Sequence, residues 1–417
     1  MICPDEKCTG CGVCISICVK KAIILKEDLY GTLRPVVDSE NCINCGLCKK
    51  VCPNNQNLSF SKVKKVYASY SLDKSVYNKA ASGGIASELY KIAIRNNWFS
   101  MGTCFDRHVG VFYKEVKDVY DLDWACSSKY VYSNMLSAFN CYYDHLSKNE
   151  NALFIGLPCQ CAALYSYLNM KNKKLTEKLF LVNIICHGVP NWKFLDEHLD
   201  FIEKKYEKRI LKIFFRSKTV DDSHRSYNSY DYHLRCISDD SQEFYICDMH
   251  KNESYGNAFL CNLIFRENCY LCRYAKPDRF CDLTIGDYDG LGCEVEYNNL
   301  VKQVSCVLCY TKKADTLVKE LKKSCYLENR PVSEPFKYNG QLNNPSVPHK
   351  NREKFKNSYL LTKNFEYAVK KSLIKEMYFS FDFFSNAKLF IKNNFKFVYT
   401  IYKNLKKMAA ANDKKNS

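Results

Sequence analysis

Two groups of four closely spaced cysteines stand within the first 53 residues of the chain. Both groups read C-x2-C-x2-C-x3-C, a spacing at which thiolates ligate 4Fe-4S clusters. The first group is Cys8, Cys11, Cys14 and Cys18, and the second is Cys42, Cys45, Cys48 and Cys52. In such a pair of runs, the fourth cysteine of each run ligates the cluster of the other run. We therefore expect one cluster on the first three cysteines plus Cys52, and a second on Cys42, Cys45, Cys48 and Cys18.

The residue types around these cysteines suit a cubane cluster better than the alternatives. Each iron of a cubane needs one soft thiolate, and Gly10, Gly12 and Gly46 let the backbone approach closely. Zinc sites usually pair two C-x2-C units, and a disulfide framework is typical of secreted proteins. Residues 1–57 are therefore predicted to be a bacterial-type ferredoxin domain that carries two 4Fe-4S clusters.

Composition and charge set wider bounds. The chain has 417 residues, room for two or three domains, and 25 cysteines, which point to metal or redox chemistry. No signal peptide and no run of about 18 apolar residues is evident, so we expect a cytoplasmic protein without a membrane-spanning helix. Clusters of this kind are usually oxygen-sensitive, which favours an anaerobic setting.

The net charge of +17 is concentrated at the C-terminal end, where residues 350–417 hold 16 Lys or Arg against 5 Asp or Glu. Such a basic helical tail is most simply a solvated appendage, but it also suits an acidic electron carrier such as ferredoxin, or a membrane surface. The stretch Tyr378–Tyr402 is rich in Phe and Tyr between lysines, which fits either an interfacial helix or a helix packed on the body. A nucleic-acid partner is not expected.

Two short motifs in the next part of the chain have residue types that bind anions. The run Ala81-Ser82-Gly83-Gly84 precedes a helical pattern, and small residues at a helix start allow backbone N–H groups to face an anion. Turn glycines are common, so this motif is weak by itself. Lys129 follows two serines, and composition alone favours a surface charge there.

Further cysteines follow two predicted buried strands. The strand 152–155 is followed by Cys159, and the strand 179–185 by Cys186 and His187. Ligands of α/β proteins usually sit at such strand ends. Together with the pair Cys269 and Cys272, these cysteines leave a third cluster open, although a cysteine at a strand end is more often a small buried hydrophobe. His187 either protonates a substrate or flavin or makes a structural hydrogen bond. The pair Cys306 and Cys309 lies in an apolar strand-like run and is predicted to be core.

Seven motifs in order resemble those of the coenzyme F-420 hydrogenase/dehydrogenase beta-subunit family, in a version with a fused two-cluster ferredoxin domain. The matching segments are 81–84, 128–131 (Ser-Lys-Tyr-Val), 156–160 (Gly-Leu-Pro-Cys-Gln), 186–190 (Cys-His-Gly-Val-Pro), 215–218 (Phe-Arg-Ser-Lys), 266–272 and 282–287 (Asp-Leu-Thr-Ile-Gly-Asp). The resemblance covers roughly residues 1–300. It departs from the family at Val19, and at Cys281 and Asp289, where we expect the pocket wall to differ.

The resemblance implies a flavin, FAD, in an α/β body, and a third 4Fe-4S cluster held by the body itself. Its ligands would be Cys159, Cys186, Cys269 and Cys272. Contacts to the flavin would come from Ser82, Gly83, Gly84 and Lys129, and a cation near a flavin tunes its electronics. His187 becomes the candidate catalytic residue.

The predicted fold is α+β and α/β, with a small ferredoxin-like domain (1–57), a flavin-binding body in two parts (62–148 and 150–325) and a basic helical tail (350–417). The predicted function is an iron–sulfur flavoprotein oxidoreductase that passes electrons between a ferredoxin-like carrier and a small organic acceptor. The alternatives are a non-catalytic electron-transfer subunit of a larger complex and a deazaflavin-dependent reductase. Family members of this version sometimes accompany cell-surface polysaccharide genes, so the substrate stays open.

Overall fold

The N-terminal module consists of two short helices and one hairpin. The computed structural model describes residues 1–216, 232–250, 253–301 and 303–378. Within the module, β1 (Ile23–Glu27) pairs antiparallel with β2 (Leu33–Val37). The helices α1 (Val13–Ser16) and α2 (Leu47–Val51) each follow a glycine with positive φ, 78° at Gly12 and 74° at Gly46. Glycine adopts this left-handed conformation without strain, so each cysteine loop can turn directly into its helix.

The polar segment after the second cysteine run is fixed to the module by hydrogen bonds. Residues Pro53–Asn55 form a 3-10 helix. The Asn55 amide donates to the carbonyls of Ile2 and Lys49, both at 2.9 Å, and Gln56 donates to Lys50 O at 2.7 Å. These hydrogen bonds attach the segment that leaves the module to Ile2, near its N-terminus, and to α2.

The body is organised around one large mixed sheet and a smaller antiparallel one. The remaining strands are β3 (Lys65–Ser71), β4 (Phe99–Asp106), β5 (Gly110–Glu115), β6 (Ser133–Asn134), β7 (Ala152–Gly156), β8 (Leu179–Ile184), β9 (Ile210–Arg216), β10 (Tyr232–Ser238), β11 (Glu243–Asp248), β12 (Leu283–Asp287), β13 (Ser305–Cys309) and β14 (Cys325–Arg330). The large sheet has the order β14-β3-β13-β12-β8-β7-β4-β5-β6 and the small sheet the order β11-β10-β9. At the centre of the large sheet, β4, β7, β8 and β12 are parallel neighbours.

Helices cover both faces of the large sheet. The remaining helices are α3 (Lys74–Lys79), α4 (Ile85–Arg95), α5 (Leu122–Ala125), α6 (Leu136–Ser147), α7 (Pro158–Lys171), α8 (Trp192–Tyr206), α9 (Ser254–Leu260), α10 (Glu267–Tyr270), α11 (Lys313–Leu321), α12 (Glu334–Tyr338), α13 (Arg352–Thr362) and α14 (Phe365–Tyr378). Side chains of a strand alternate between faces, so Phe154 packs with α6 and α7, and Leu153 and Ile155 pack with α4 and α11. The predicted α/β body is thereby confirmed. Cys306 and Cys309, 0% and 3% exposed, lie in its core as predicted.

The first part of the predicted tail packs on the body. Phe355 and Tyr359 of α13 and Phe365 of α14 are buried in a core shared with α8 and α9. Residues 379–417 lie outside the described part of the chain, and with them the stretch predicted to lie at a membrane interface, apart from its first residue. No helix among the described residues is long and apolar enough to cross a membrane.

Candidate functional site

The cysteines predicted for the first cluster surround one buried cavity in the N-terminal module. Its lining includes Cys8, Cys11, Cys14 and Cys52, each 7–8% exposed. Cys52 comes from the second run, in line with the predicted exchange of the fourth ligand. Burial raises the pKa of Cys11 to about 12, so binding of iron there would release its proton. Four buried thiols around a cavity are the donor set a cubane requires.

A fifth thiol, Cys3, lines the same cavity and was not singled out from the sequence. It is 8% exposed. A hydrogen bond between the side chains of Cys3 and Cys8 lowers the pKa of Cys8 to about 6, with Arg34 contributing. The sequence signal was its position just before the first run.

The cysteines predicted for the second cluster lie nearer the surface. Cys18 and Cys48 pack together against the small core of the module, and both are half-buried. Burial raises the pKa of Cys48, and the neighbouring Cys42 and Cys45 add to the shift. Cys45 is exposed. The second predicted site therefore faces solvent, whereas the first is enclosed.

The four candidate cysteines of the body also meet. Cys159 begins α7 directly after β7, and Cys186 follows the end of β8. Because β7 and β8 are parallel neighbours, their carboxyl ends lie at one edge of the sheet, where Cys269 of α10 and Cys272 join them. All four line one cavity, and burial, with the other three thiols adding, raises the pKa of Cys159 well above its usual range.

Two buried arginines face the cavity of these four cysteines. Arg266 and Arg279 are each 2% exposed and line it. The Nε and Nη2 atoms of Arg266 and Nε of Arg279 have no hydrogen-bond partner among the described residues. A buried cation with unpaired donors is costly unless an anion lies beside it. A cluster held by four thiolates is anionic, so these residues fit that group.

The arrangement does not fit a single metal ion. Among the described residues, no group of three or more His, Cys, Asp or Glu side chains is arranged to hold one. A cubane differs because it fills the space between its thiolates, so its ligands surround a cavity and need not converge on one point.

A second, larger cavity of about 380 Å³ lies at the carboxyl ends of the central strands. Ser82, Gly84, Lys129 and His187 are among its lining residues. Its size falls in the range of cofactor pockets. It shares a stretch of wall, residues 186–189, with the four-cysteine cavity. The loop that carries Cys186 and His187 therefore borders both cavities, as does Leu157.

Gly83 stands apart from the other predicted flavin contacts. Its N–H donates to Ser305 Oγ at 2.9 Å, and a Cβ built on it would lie 2.2 Å from Ser69 O. It does not line the large cavity. The structure assigns Gly83 to the close packing of this loop on β3 and β13, and corrects its predicted contact.

Lys129 is not the surface charge that composition favours. Its Nζ donates to the carbonyl oxygens of Trp124 at 2.7 Å and Cys126 at 2.9 Å, beside the large cavity. Burial lowers the pKa of this ammonium to about 8. It is therefore a cation at neutral pH that is held in a fixed place.

Two carboxylates, those of Asp287 and Asp289, lie on the wall of the large cavity. Asp287 forms an ion pair with Arg216, and Asp289 accepts a hydrogen bond from Asn339 Nδ2 at 3.0 Å. Burial, with the charge of Asp287, raises the pKa of Asp289 to about 6. Burial also lowers the pKa of His187.

Asp289 and Cys281 were both expected to alter the pocket wall. Asp289 lines the large cavity, whereas Cys281 does not. The Cys281 side chain is 7% exposed and lies 3.3 Å from Thr284 Oγ1, away from the cavity. Arg216 and Arg266 stood inside the quoted motifs but received no role from the sequence. Their burial, which a sequence does not display, is what marks them.

Comparison with known proteins gives two matches to family models. Residues 149–335 match the model for the C terminus of the beta subunit of coenzyme F420 hydrogenase/dehydrogenase, and residues 7–56 match the 4Fe-4S dicluster domain. No curated protein matches the chain. Among solved structures, a chain of the F420-reducing [NiFe] hydrogenase complex from Methanosarcina barkeri, determined with xenon derivatization, is similar over 75% of this chain and 91% of that chain, with 16% identity and a TM-score of 0.43.

The two family matches agree with the resemblance that the motifs indicate. The chain is an iron–sulfur protein of the oxidoreductase, electron-transfer type, in which a 4Fe-4S dicluster domain at residues 7–56 precedes a region, residues 149–335, that is similar to the C terminus of the coenzyme F420 hydrogenase/dehydrogenase beta subunit.

Proposed function

We propose that the protein is an iron–sulfur flavoprotein oxidoreductase that passes electrons between a low-potential carrier and a small organic acceptor. The observation that carries this proposal is the shared wall of the two body cavities. A redox group among Cys159, Cys186, Cys269 and Cys272 would lie one loop away from a group in the large cavity.

The different burial of the three cysteine sites supports an order of the sites along an electron-transfer path. The site with Cys45 is exposed and suits exchange with an external carrier. The site with Cys8 is enclosed, and a cavity of about 310 Å³, lined by Thr9 and Asn54 of the module and by Cys159 and Cys272 of the body, lies between the two parts. The order exposed site, enclosed site, body site and large cavity gives a continuous path.

Several residues of the large cavity suit a flavin. The start of α4, with Gly84 at φ 86°, lies on its wall, where helix N–H groups favour a phosphate. Lys129 supplies a fixed cation. A flavin would supply the conversion between one-electron and two-electron transfer. We propose Ser82, Gly84 and Lys129 as its contacts.

His187 is proposed to serve the acceptor. Its side chain lines the cavity and retains solvent exposure, and partial desolvation lowers its pKa, so its imidazole is neutral at pH 7. A neutral imidazole has one nitrogen that accepts a proton and one that donates. It is therefore equipped to move a proton to or from a small acceptor.

The proposed carrier is ferredoxin-like and acidic. Lys20, Lys21, Lys49 and Lys50 are exposed on the same small module as Cys45. Attraction between opposite charges steers such encounters and weakens as salt rises. We propose a cytoplasmic, anaerobic setting, in keeping with free thiols at all twelve predicted ligand positions.

The decisive experiment is to measure iron, acid-labile sulfide and extracted flavin per chain in protein purified without oxygen. We expect about 12 irons and one flavin, as three cubanes and one flavin require. About 8 irons with a flavin would remove the body cluster but keep the enzyme. Absence of flavin would contradict the proposal.

A turnover assay then separates the enzyme from its rivals. Reduced ferredoxin should reduce the bound flavin and, with an added acceptor, turn over repeatedly. A protein that turns over only with a second polypeptide would be an electron-transfer subunit. Rapid bleaching of the flavin by a reduced deazaflavin, but not by ferredoxin, would identify a deazaflavin-dependent reductase.

A further inference from the structure

Arg266 lies between the N-terminal module and the four-cysteine cavity of the body. Its Nη1 donates to Thr9 O of the module at 2.7 Å. Its guanidinium stacks over the ring of Tyr132 at 4.3 Å, and Tyr132 in turn donates to Gly10 O at 2.6 Å. Thr9 and Gly10 separate Cys8 from Cys11 in the chain. One side chain therefore reaches the loop of the enclosed N-terminal site from the body.

The Nε and Nη2 groups of Arg266 are available to a ligand. Within the part of the chain that the structure describes, Nε and Nη2 have no hydrogen-bond partner, and no Asp or Glu forms an ion pair with Arg266. The residue is 2% exposed, so water does not solvate it freely. Since arginine stays protonated in proteins, this is a fixed and uncompensated positive charge inside the molecule.

Thiol groups are among the neighbours that can compensate the charge of Arg266. Arg266 lines the cavity together with Cys159, Cys186, Cys269 and Cys272, and it interacts electrostatically with Cys269, Cys159 and Cys8. Hydrogen bonds to sulfur and local charge are among the features that set the potential of an iron–sulfur cluster. Arg266 also has the donors to form such bonds.

We propose that Arg266 is a positioning and potential-setting residue for the body cluster. Its free N–H groups and its charge stabilise the more negative, reduced state, while Nη1 holds the Cys8–Cys11 loop next to it. The body cluster is then the favoured acceptor for an electron that arrives at the enclosed N-terminal site. This inference rests on the proposed body cluster.

The test is a potentiometric titration of the anaerobic full-length protein followed by electron paramagnetic resonance. The body signal is identified by its loss in Cys159→Ser. At the potential where the wild-type body cluster is half reduced, Arg266→Gln should lower the ratio of reduced to oxidised cluster about tenfold, or about 59 mV for one electron. Arg266→Lys, which keeps the charge but loses the planar fork, should lower it less.

Arg273→Gln is the matched control. Arg273 also joins the body to the module, since its Nη1 donates to Pro53 O at 2.8 Å and its Nη2 to Gln56 O at 3.2 Å. It does not line the four-cysteine cavity. Arg273 does line the neighbouring cavity between the module and the body together with Cys159 and Cys272. Loss of docking alone would shift the ratio equally in both variants, whereas the proposed role shifts it clearly more at Arg266.

The remaining outcomes are also decisive. About 12 irons per chain with an unchanged ratio in Arg266→Gln would overturn the role of Arg266 and leave the proposed function intact. About 8 irons in the wild type would overturn the body cluster itself. If Arg266→Gln does not retain the body cluster, the ratio of reduced to oxidised body cluster is compared between Arg266→Lys and Arg273→Lys. Equal ratios in these two variants would contradict the proposal.

Discussion

Arg216 and Asp287 form an ion pair on the wall of the large cavity, with 2.8 Å between Nη1 and Oδ2. The Arg216 side chain is 4% exposed and also donates to Ala81 O at 2.6 Å, next to the Ser82 loop. The pair therefore joins the end of β12 to the loop before α4. It holds together two walls that come from distant parts of the chain.

Removal of one partner should be costly. Asp287→Asn removes one counter-charge of the buried Arg216, and we expect the free energy of unfolding to fall by about 3 kcal/mol. The measurement is urea denaturation of anaerobic protein with matched iron content. The double variant Arg216→Met, Asp287→Asn should recover part of the loss, because the buried guanidinium is removed together with the carboxylate it pairs with. Equal stability of the single variant and the wild type would contradict this account.

The exchange of fourth ligands makes Cys52→Ser informative. We expect it to remove the enclosed cluster that Cys8, Cys11 and Cys14 share, so that iron falls by about four atoms per chain. Cys306→Ala, which removes a fully buried thiol from β13, is the control and should keep the iron of the wild type. Iron analysis and electron paramagnetic resonance check both. Loss of the solvent-facing cluster in Cys52→Ser instead would overturn the ligand assignment.

Because the second cysteine site is exposed, we predict the order in which oxygen destroys the two clusters of the N-terminal module. Cys45 is exposed, whereas Cys8 is 8% exposed. The solvent-facing cluster should therefore be lost first during brief exposure to oxygen, and the enclosed one later. Electron paramagnetic resonance at timed intervals distinguishes the two, with Cys52→Ser as the reference that lacks the enclosed signal. Simultaneous loss in the wild type would count against the difference in access.

His198 predicts a stability that depends on pH. Its ring nitrogens lie 2.5 Å from Glu253 Oε1 and 2.5 Å from Glu366 Oε1, so the imidazolium joins α8 to α9 and α14. Burial by itself lowers the pKa of His198, but the two carboxylates outweigh it and raise the pKa to about 10. The pKa of an unfolded histidine is about 6.5.

The pKa of His198 is higher in the folded than in the unfolded protein, so its contribution to stability falls as the pH rises. The stabilisation is fully present below pH about 6.5 and is lost as the pH rises toward 10, on the order of 5 kcal/mol at most. His198→Gln should therefore be less stable at pH 6 and should lose this slope. The exposed His108→Gln is the control and should keep it. Urea denaturation at several pH values is the measurement, and an unchanged slope in His198→Gln would refute the prediction.

Lys129 predicts a pH-dependent flavin potential, given the proposed flavin. Its pKa is lowered to about 8 by burial, so the cation that favours reduced flavin is lost above that pH. Lys129→Met should have a more negative flavin potential at pH 7 and no inflection near pH 8. Lys114→Gln, at an exposed position, should behave as the wild type. Spectroelectrochemistry decides, and identical curves for Lys129→Met and the wild type would exclude the role.

The sequence by itself determined the local chemistry. The spacing of Cys8 through Cys18 and of Cys42 through Cys52 is short-range, because a tight loop presents three thiolates in one place. The apolar runs of β7 and β8 likewise predicted buried strands, and therefore that Cys159 and Cys186 follow strand ends. The parallel pairing of β7 and β8 then places these two cysteines at one edge of the sheet.

Only the tertiary structure decided which charges are buried and what they face. Nothing local distinguishes Arg266 or Lys129 from surface cations, because their burial comes from segments far away in the chain. Gly83 was misread for the same reason, since β3 and β13 enclose it only in the folded sheet. Cys3 joins the enclosed site because Cys52 returns to it across the module. Short-range spacing thus identifies the ligands, and long-range packing fixes the charge, the access and the order of the sites.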